Sequence, residues 1–264
     1  MPELPEVETV VRTVAPKLTG RRIVHARFSS KHVVRENFAR LAKRVAGQRV
    51  SGVTRHGKFI VIALERGNLL VHLGMTGRLI VNGETGPYTR ALFELDEGTL
   101  VYNDPRQFGR IEWSEGLPER VARLGPDALT VSEDEFLALL RKRRHALVKP
   151  LLLNQAFLRG LGNIYADEAL FAAGIHPRAD AARFSKPRAR RLHGAIVEVL
   201  QAAIASKGSS ISDYVYDEGR QGGYQIHLLA YGRTGEPCER CGTAIRRIVL
   251  GGRGTHYCPK CQRA

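Results

Sequence analysis

Apolar residues near the start of the chain recur at Val7, Val10, Val11, Val14 and Leu18, the three-and-four spacing that turns one side of an α-helix toward a core. Pro5 suits the first turn of that helix, where its missing N–H costs nothing, and Glu6 and Glu8 complement the positive helix end. The pattern then shortens: residues 22–28, 49–53, 58–64 and 68–81 read as strands with glycine-containing turns between them. Residues 91–95 and 100–102 form a further pair across Asp96-Glu97-Gly98, a hairpin signal. Closely spaced strands favour antiparallel pairing, so an antiparallel β-sandwich carrying the N-terminal helix is predicted for residues 1–116.

Residues 117–131, with Gly125-Pro126-Asp127, read as a linker, and a helical pattern begins at Ser132-Glu133-Asp134-Glu135, a capping box. Residues 135–143 supply the body of that helix, and residues 148–158 make a second run. It stops at Arg159-Gly160-Leu161-Gly162-Asn163, where a third helix starts and extends to about residue 173. Such a glycine turn before a helix faces its N–H groups outward and can hold a phosphate. Residues 186–207 form the longest helix, with Leu192, Ile196, Val199, Leu200 and Ile204 on its apolar side. Residues 208–225, rich in glycine and serine, read either as a functional loop or as a disordered connector.

Composition narrows the partner. Lys plus Arg number 41 against 26 Asp plus Glu, a net charge of +15 in 264 residues, while hydrophobic residues make up an ordinary 43%. The excess points to a polyanion, nucleic acid before membrane, although a merely basic protein would share it. No stretch approaches the roughly 18 apolar residues of a membrane span, and no charged-then-apolar leader is present, so an intracellular, cytoplasmic protein is expected. All four cysteines fall late, as Cys238-x2-Cys241 and Cys258-x2-Cys261. Two close pairs of thiolates can complete a tetrahedron around zinc, with a pair of disulfides as the competing reading, and four sulfur ligands would leave no open position for catalysis. Arg253 lies between the pairs, flanked by glycines, where a hairpin tip could approach a DNA backbone.

The candidate chemistry sits at the other end. Met1 precedes the small, ring-closed Pro2, so its removal and a free prolyl amine beside Glu3 are expected. A free α-amine titrates near 8 against about 10.4 for lysine, so roughly one in ten is unprotonated at pH 7, compared with about one in 2,500 lysines. A nucleophile and a plain helix start are both open readings of these residues.

Taken together the motifs resemble the formamidopyrimidine-DNA glycosylases, over essentially the whole chain. They are Pro2-Glu3-Leu4-Pro5-Glu6-Val7-Glu8, His72-Leu73-Gly74-Met75-Thr76-Gly77, Asp104-Pro105-Arg106-Gln107-Phe108-Gly109, the run from Gly160 to Glu168, Tyr231-Gly232-Arg233, and the run from Gly251 to Cys261. The resemblance implies a multidomain α+β protein. A catalytic β-sandwich domain would be followed by a helix-two-turns-helix domain over 132–230, with a lesion-capping loop at about 208–225, and a zinc finger over 231–264. It implies a monomer that binds damaged double-stranded DNA, holds one structural zinc and has no membrane partner.

The resemblance also assigns roles. Pro2 attacks C1′ of the damaged nucleotide, Glu3 protonates the sugar oxygen, Lys58 serves β-elimination and Arg253 serves δ-elimination. Met75, Arg106 and Phe108 fill the gap left by an extruded nucleotide, and His72 and Asn163 bind phosphate. Arg144 and Lys149 fall where the family has basic DNA contacts. Lys58 could instead be only a phosphate contact, His72 and Met75 could belong to a core, and residues 141–144 could be a solvated basic face. Asp167 and Glu168 read as structural. Tyr88 stands where many relatives have a DNA-contacting His, and Gln107 where Arg or Lys is common. An oxidised-pyrimidine glycosylase resembling endonuclease VIII, or a non-catalytic zinc-finger protein that binds damage, are the alternatives.

Overall fold

The computed structural model describes residues 2–142, 145–210, 214–217 and 220–263. They divide into two compact units, and neither is a continuous stretch. One comprises Met1–Ala122 with Ser206–Gln225, the other Arg123–Ala205 with Ile226–Ala264.

In the first unit, helix α1 (Leu4–Leu18) forms where the apolar spacing predicts it and buries Val7, Val10, Val11, Val14 and Leu18. Eight strands follow: β1 (Ile23–Phe28), β2 (Val50–His56), β3 (Phe59–Leu64), β4 (Asn68–His72), β5 (Arg78–Val81), β6 (Thr89–Leu95), β7 (Thr99–Asn103) and β8 (Arg110–Ser114). They make two four-stranded antiparallel sheets, ordered β1-β6-β7-β5 and β2-β3-β4-β8. Their inward residues join α1 in one apolar core, including Ile60, Ile62, Val71, Phe93 and Tyr102. The run 68–81 divides between the sheets, because residues 73–77 carry the chain from β4 in one to β5 in the other.

Two elements of this unit lack a strong sequence signal. Helix α2 (Phe38–Val45) is capped by the Asn37 side chain, which accepts from Arg40 N at 2.9 Å, but it buries only Leu41 and Val45. Strand β8 alternates Arg110, Glu112 and Ser114 with Ile111 and Trp113, but the pattern runs for only five residues and Ile111 alone among them is fully buried. A single turn, α3 (Glu119–Ala122), lies within the predicted linker and buries Val121.

The second unit contains α4 (Glu133–Arg141), α5 (Val148–Leu153), α6 (Asn163–Ala172) and α7 (Lys186–Ala205), then a hairpin of β9 (Arg246–Leu250) and β10 (Arg253–Tyr257). Helix α5 ends earlier than the apolar run 148–158 suggests. The Asn154 side chain accepts from Ala156 N at 3.0 Å, and that local turn competes with another turn of helix. Among the described residues no helix is long and apolar enough to cross a membrane.

Candidate active site

In the first unit, the start of α1 is fixed by its own acids. Glu3 and Glu6 form a capping box, and Glu3 N donates to Glu6 Oε2 at 2.8 Å. Pro2 and Glu3 are both buried there. The other Glu6 oxygen accepts from Ser209 N at 2.8 Å, and the Tyr214 hydroxyl donates to the Glu6 carbonyl at 3.3 Å. Ser209 and Tyr214 therefore pack on the helix start, and Tyr214 belongs to the same apolar core. Gly208 makes this approach possible: its φ is +81°, and a Cβ would stand 2.8 Å from Glu6 Oε1.

One turn further along α1, Glu8 accepts from Arg55 Nε at 2.8 Å, and Arg55 also donates to the Gly57 carbonyl at 3.2 Å. The helix is thus tied to the β2–β3 turn that carries Lys58, itself a buried residue. Pairing across the second sheet sets His56, Phe59, His72 and Arg110 in one row over four strands. The rings of Phe59 and His72 are 5.0 Å apart, and the Arg120 guanidinium lies 5.7 Å from the Phe59 ring centre.

His72 is a neutral donor in this setting. Its Nδ1 accepts from Gly74 N at 3.1 Å, which leaves the proton on Nε2. Burial first, then the positive charges of Lys58, Arg110 and Arg120, push the imidazole down to about 4. The folded protein resists protonation that the unfolded chain accepts near 6.5, so His72 contributes full stability above that pH and loses it as pH falls toward 4. Urea unfolding should show about 2 kcal/mol less stability at pH 5 than at pH 7 from this group. His72→Gln should remove that part of the difference; an unchanged pH dependence would place the proton elsewhere.

Two loops of the first unit present Met75, Arg106 and Phe108. Met75 is 38% exposed and Phe108 53%, unusual for large apolar side chains, and the Arg106 guanidinium covers the Phe108 ring at 4.7 Å. Gln107 adopts φ of +56°, and its side chain is turned back to accept from the Ser30 hydroxyl at 2.5 Å. Its amide oxygen is thereby occupied within the unit. Tyr88 stands 54% exposed before β6, held through its carbonyl, which accepts from Asp104 N at 2.9 Å.

The second unit brings Asn163 and Arg253 together. Gln155 braces the glycine turn before α6, accepting from Gly160 N at 2.9 Å and donating to the Leu161 carbonyl at 2.8 Å. Asn163 opens α6 and donates to the Gly254 carbonyl at 3.0 Å, next to the exposed Arg253 on the hairpin. Lys149, expected as a DNA contact, is instead sealed inside this unit with 0% exposure. Its Nζ pairs with Asp167 Oδ1 at 2.6 Å and donates to the Gly254 carbonyl at 3.0 Å and to Thr255 Oγ1 at 2.9 Å. A basic residue in an apolar run did not signal burial in the sequence, yet its position on α5 puts it under the hairpin. Arg144 lies outside the described residues.

Asp167 and Glu168 carry more of the second unit than the sequence indicates. The second oxygen of Asp167 accepts from His256 N at 2.9 Å and lies 3.0 Å from His256 Nδ1. Glu168 accepts from the backbone N–H groups of Leu229, Ala230 and Tyr231. Burial raises its carboxyl above the usual range, and these three donors oppose the rise. Two adjacent acids inside an otherwise apolar helix were the available signal.

Four thiols complete this unit. The sulfur atoms of Cys238, Cys241, Cys258 and Cys261 all lie within 4.8 Å of one another. A tetrahedral zinc with bonds of about 2.3 Å places its sulfurs a little under 4 Å apart, so the set fits one structural zinc. Cys258→Ser should release the metal, read as zinc per chain by elemental analysis; full occupancy in the variant would show that three thiols suffice.

The chain matches three family descriptions in order. They are "Formamidopyrimidine-DNA glycosylase N-terminal domain" over residues 1–111, "Formamidopyrimidine-DNA glycosylase H2TH domain" over 124–215, and "Zinc finger found in FPG and IleRS" over 235–264. It is 54% identical over 265 residues to the formamidopyrimidine-DNA glycosylase of Solibacter usitatus and 43% identical over 276 residues to that of Pseudomonas putida strain GB-1, covering both sequences of each pair completely. Among solved structures it resembles the MutM (FPG) protein of Thermus thermophilus, with 40% identity and a TM-score of 0.88 over 99% of this chain and 98% of that one. It also resembles a variant of the Lactococcus lactis FPG protein in complex with a Fapy-dG containing DNA, at 34% identity and a TM-score of 0.89 over the whole of both chains.

Proposed function

Because this chain belongs to the formamidopyrimidine-DNA glycosylase family, whose members excise damaged bases from DNA, we propose that it removes oxidised purines, chiefly 8-oxoguanine and formamidopyrimidines, from duplex DNA and then cleaves the strand. The carrying observation is the start of α1, where Pro2 precedes a Glu3 held by reciprocal capping contacts. With Met1 removed, the Pro2 nitrogen attacks C1′ and the glycosidic bond breaks, the base leaving with its electron pair. Glu3 delivers a proton to O4′ as the sugar ring opens. The secondary amine leaves a cationic iminium, an electron sink that acidifies C2′–H. Loss of that proton expels the 3′ phosphate, and a second elimination expels the 5′ phosphate.

In this reading Lys58 serves the first elimination and Arg253 the second. His72 offers a neutral Nε2–H to a backbone phosphate, and Asn163 a side-chain amide to another. Met75, Arg106 and Phe108 enter the helix where the nucleotide leaves. Such an apolar wedge repays the cost of unstacking by filling the gap. Lys149 contributes from beneath the Arg253 hairpin, and Tyr88 offers an exposed phenol where the strands pass. The net charge of +15 supports a backbone partner whose binding weakens steeply with salt. The zinc shapes the hairpin and takes no part in the chemistry, and the protein acts as a monomer.

Borohydride reduction during turnover tests this function. A covalent adduct on an 8-oxoguanine duplex, much weaker on a thymine-glycol duplex, is the expected result. A reversed preference would make the protein an oxidised-pyrimidine glycosylase, and the absence of any adduct from chains with a verified Pro2 terminus would sink the amine mechanism.

A further inference from the structure

The two loops that present Met75, Arg106 and Phe108 come from different places in the sandwich. Residues 73–77 leave β4 for β5, and residues 104–109 leave β7 for β8. Exposed apolar tips on separate loops would ordinarily move independently, and ordering each on binding would cost conformational entropy.

A buried polar joint couples them. Asp104 is 0% exposed, and its two oxygens face both loops. The Thr76 hydroxyl donates to Asp104 Oδ1, while Gly109 N donates to Asp104 Oδ2 at 2.8 Å. The Tyr102 hydroxyl approaches the same Oδ2 at 3.4 Å; burial and the neighbouring Asp104 raise its pKa, so the phenol keeps its proton. The Thr76 oxygen in turn accepts from Arg106 N at 3.4 Å. One hydroxyl on the Met75 loop thus gives a hydrogen bond to the residue that starts the other loop and receives one from the backbone of its arginine. The backbones also touch: a Cβ on Gly74 would fall 2.5 Å from Gly109 N and from the Phe108 carbonyl carbon.

We propose that Thr76 and Asp104 are positioning residues that make the Met75 and Arg106–Phe108 loops a single rigid wedge, so that the gap in the base stack is filled in one concerted insertion. This rests on the glycosylase reading above. Neither side chain contacts DNA in it; each acts through the three residues it aligns. The requirement is confined to duplex DNA, because a single strand has no orphaned partner base and no gap to fill. A joint that merely stabilised the fold would affect both substrates alike.

Thr76→Val keeps the shape of the side chain and removes the hydroxyl, and Thr76→Ser restores it. Borohydride trapping should be compared on an abasic site in a duplex and in a single strand. The duplex-to-single-strand ratio of trapping rates should fall about tenfold in Thr76→Val and return in Thr76→Ser. A separate binding measurement needs no chemistry: 2-aminopurine placed opposite a tetrahydrofuran abasic analogue in a duplex reports insertion through its fluorescence. Its change on saturation should be strongly reduced for Thr76→Val, and likewise for Asp104→Asn as an independent break of the joint. A wild-type ratio together with a wild-type fluorescence change in Thr76→Val would overturn the proposal, as would equal losses on both substrates. If the wild-type protein itself fails to trap either substrate, the amine mechanism fails, while the fluorescence comparison still decides whether the joint aligns the wedge.

Discussion

Pro2→Leu should lower strand cleavage at an 8-oxoguanine by at least about a thousandfold and abolish borohydride trapping, while duplex affinity changes little. The substitution acts twice. It removes the secondary amine, and a large second residue keeps Met1 in place, so the new amino terminus lies one residue away from the buried start of α1. Glu3 stays in its capping box with Glu6, and no basic residue is changed. The comparison is single-turnover cleavage against binding of a tetrahydrofuran duplex. Retained β,δ-elimination would identify another amine, with Lys58 the first to test, as the nucleophile.

Lys149→Met should be the most damaging substitution in the second unit. It leaves Asp167 buried with its ammonium partner gone, a loss of about 3–5 kcal/mol for a broken buried pair and a drop in melting temperature on the order of 10 °C. Adding Asp167→Asn should recover part of that loss, since the stranded charge goes too, and the non-additivity measures the pairing. The Gly254 carbonyl also loses a side-chain donor, and Asn163 still donates to it. Arg253 is the residue before that carbonyl. Products of Lys149→Met assayed below its melting temperature should therefore shift from δ- toward β-elimination. A melting temperature within about a degree of wild type would show that the network contributes little, and an unchanged product ratio would separate Lys149 from Arg253.

Much of this architecture was legible because periodicity records burial directly. Helix α1, most strands of the sandwich and the thiol pairs repeat at spacings that few other structures produce. Helix α2 escaped because two buried residues make no stripe, and β8 because its alternation of Arg110, Glu112 and Ser114 with Ile111 and Trp113 lasts only five residues. The candidate site was legible as motifs and less so as roles. His72 and Met75 belong to one six-residue motif, yet the first is half-buried and the second exposed, a distinction set by the β4–β5 crossover and not by their neighbours in sequence. Lys149 shows the same limit. A lysine followed by Pro150 and three leucines reads equally as a surface cation or a buried one, and only Asp167, on another helix, decides. Asp104 and Thr76 stood in recognised motifs, but their mutual contact spans 28 positions and leaves no local trace.

The segment Ser206–Gln225 belongs with the first unit although the second unit flanks it in sequence on both sides. That has a consequence for synthesis. Glu6 leaves the ribosome early, but the backbone amide that it accepts from, Ser209 N, follows 203 positions later. At about 5–20 residues per second, some 10–40 s separate the two. During that interval the nascent sandwich holds a buried-to-be carboxylate without that partner and a core without Tyr214, so the start of α1 gains these contacts only after α7 has been made.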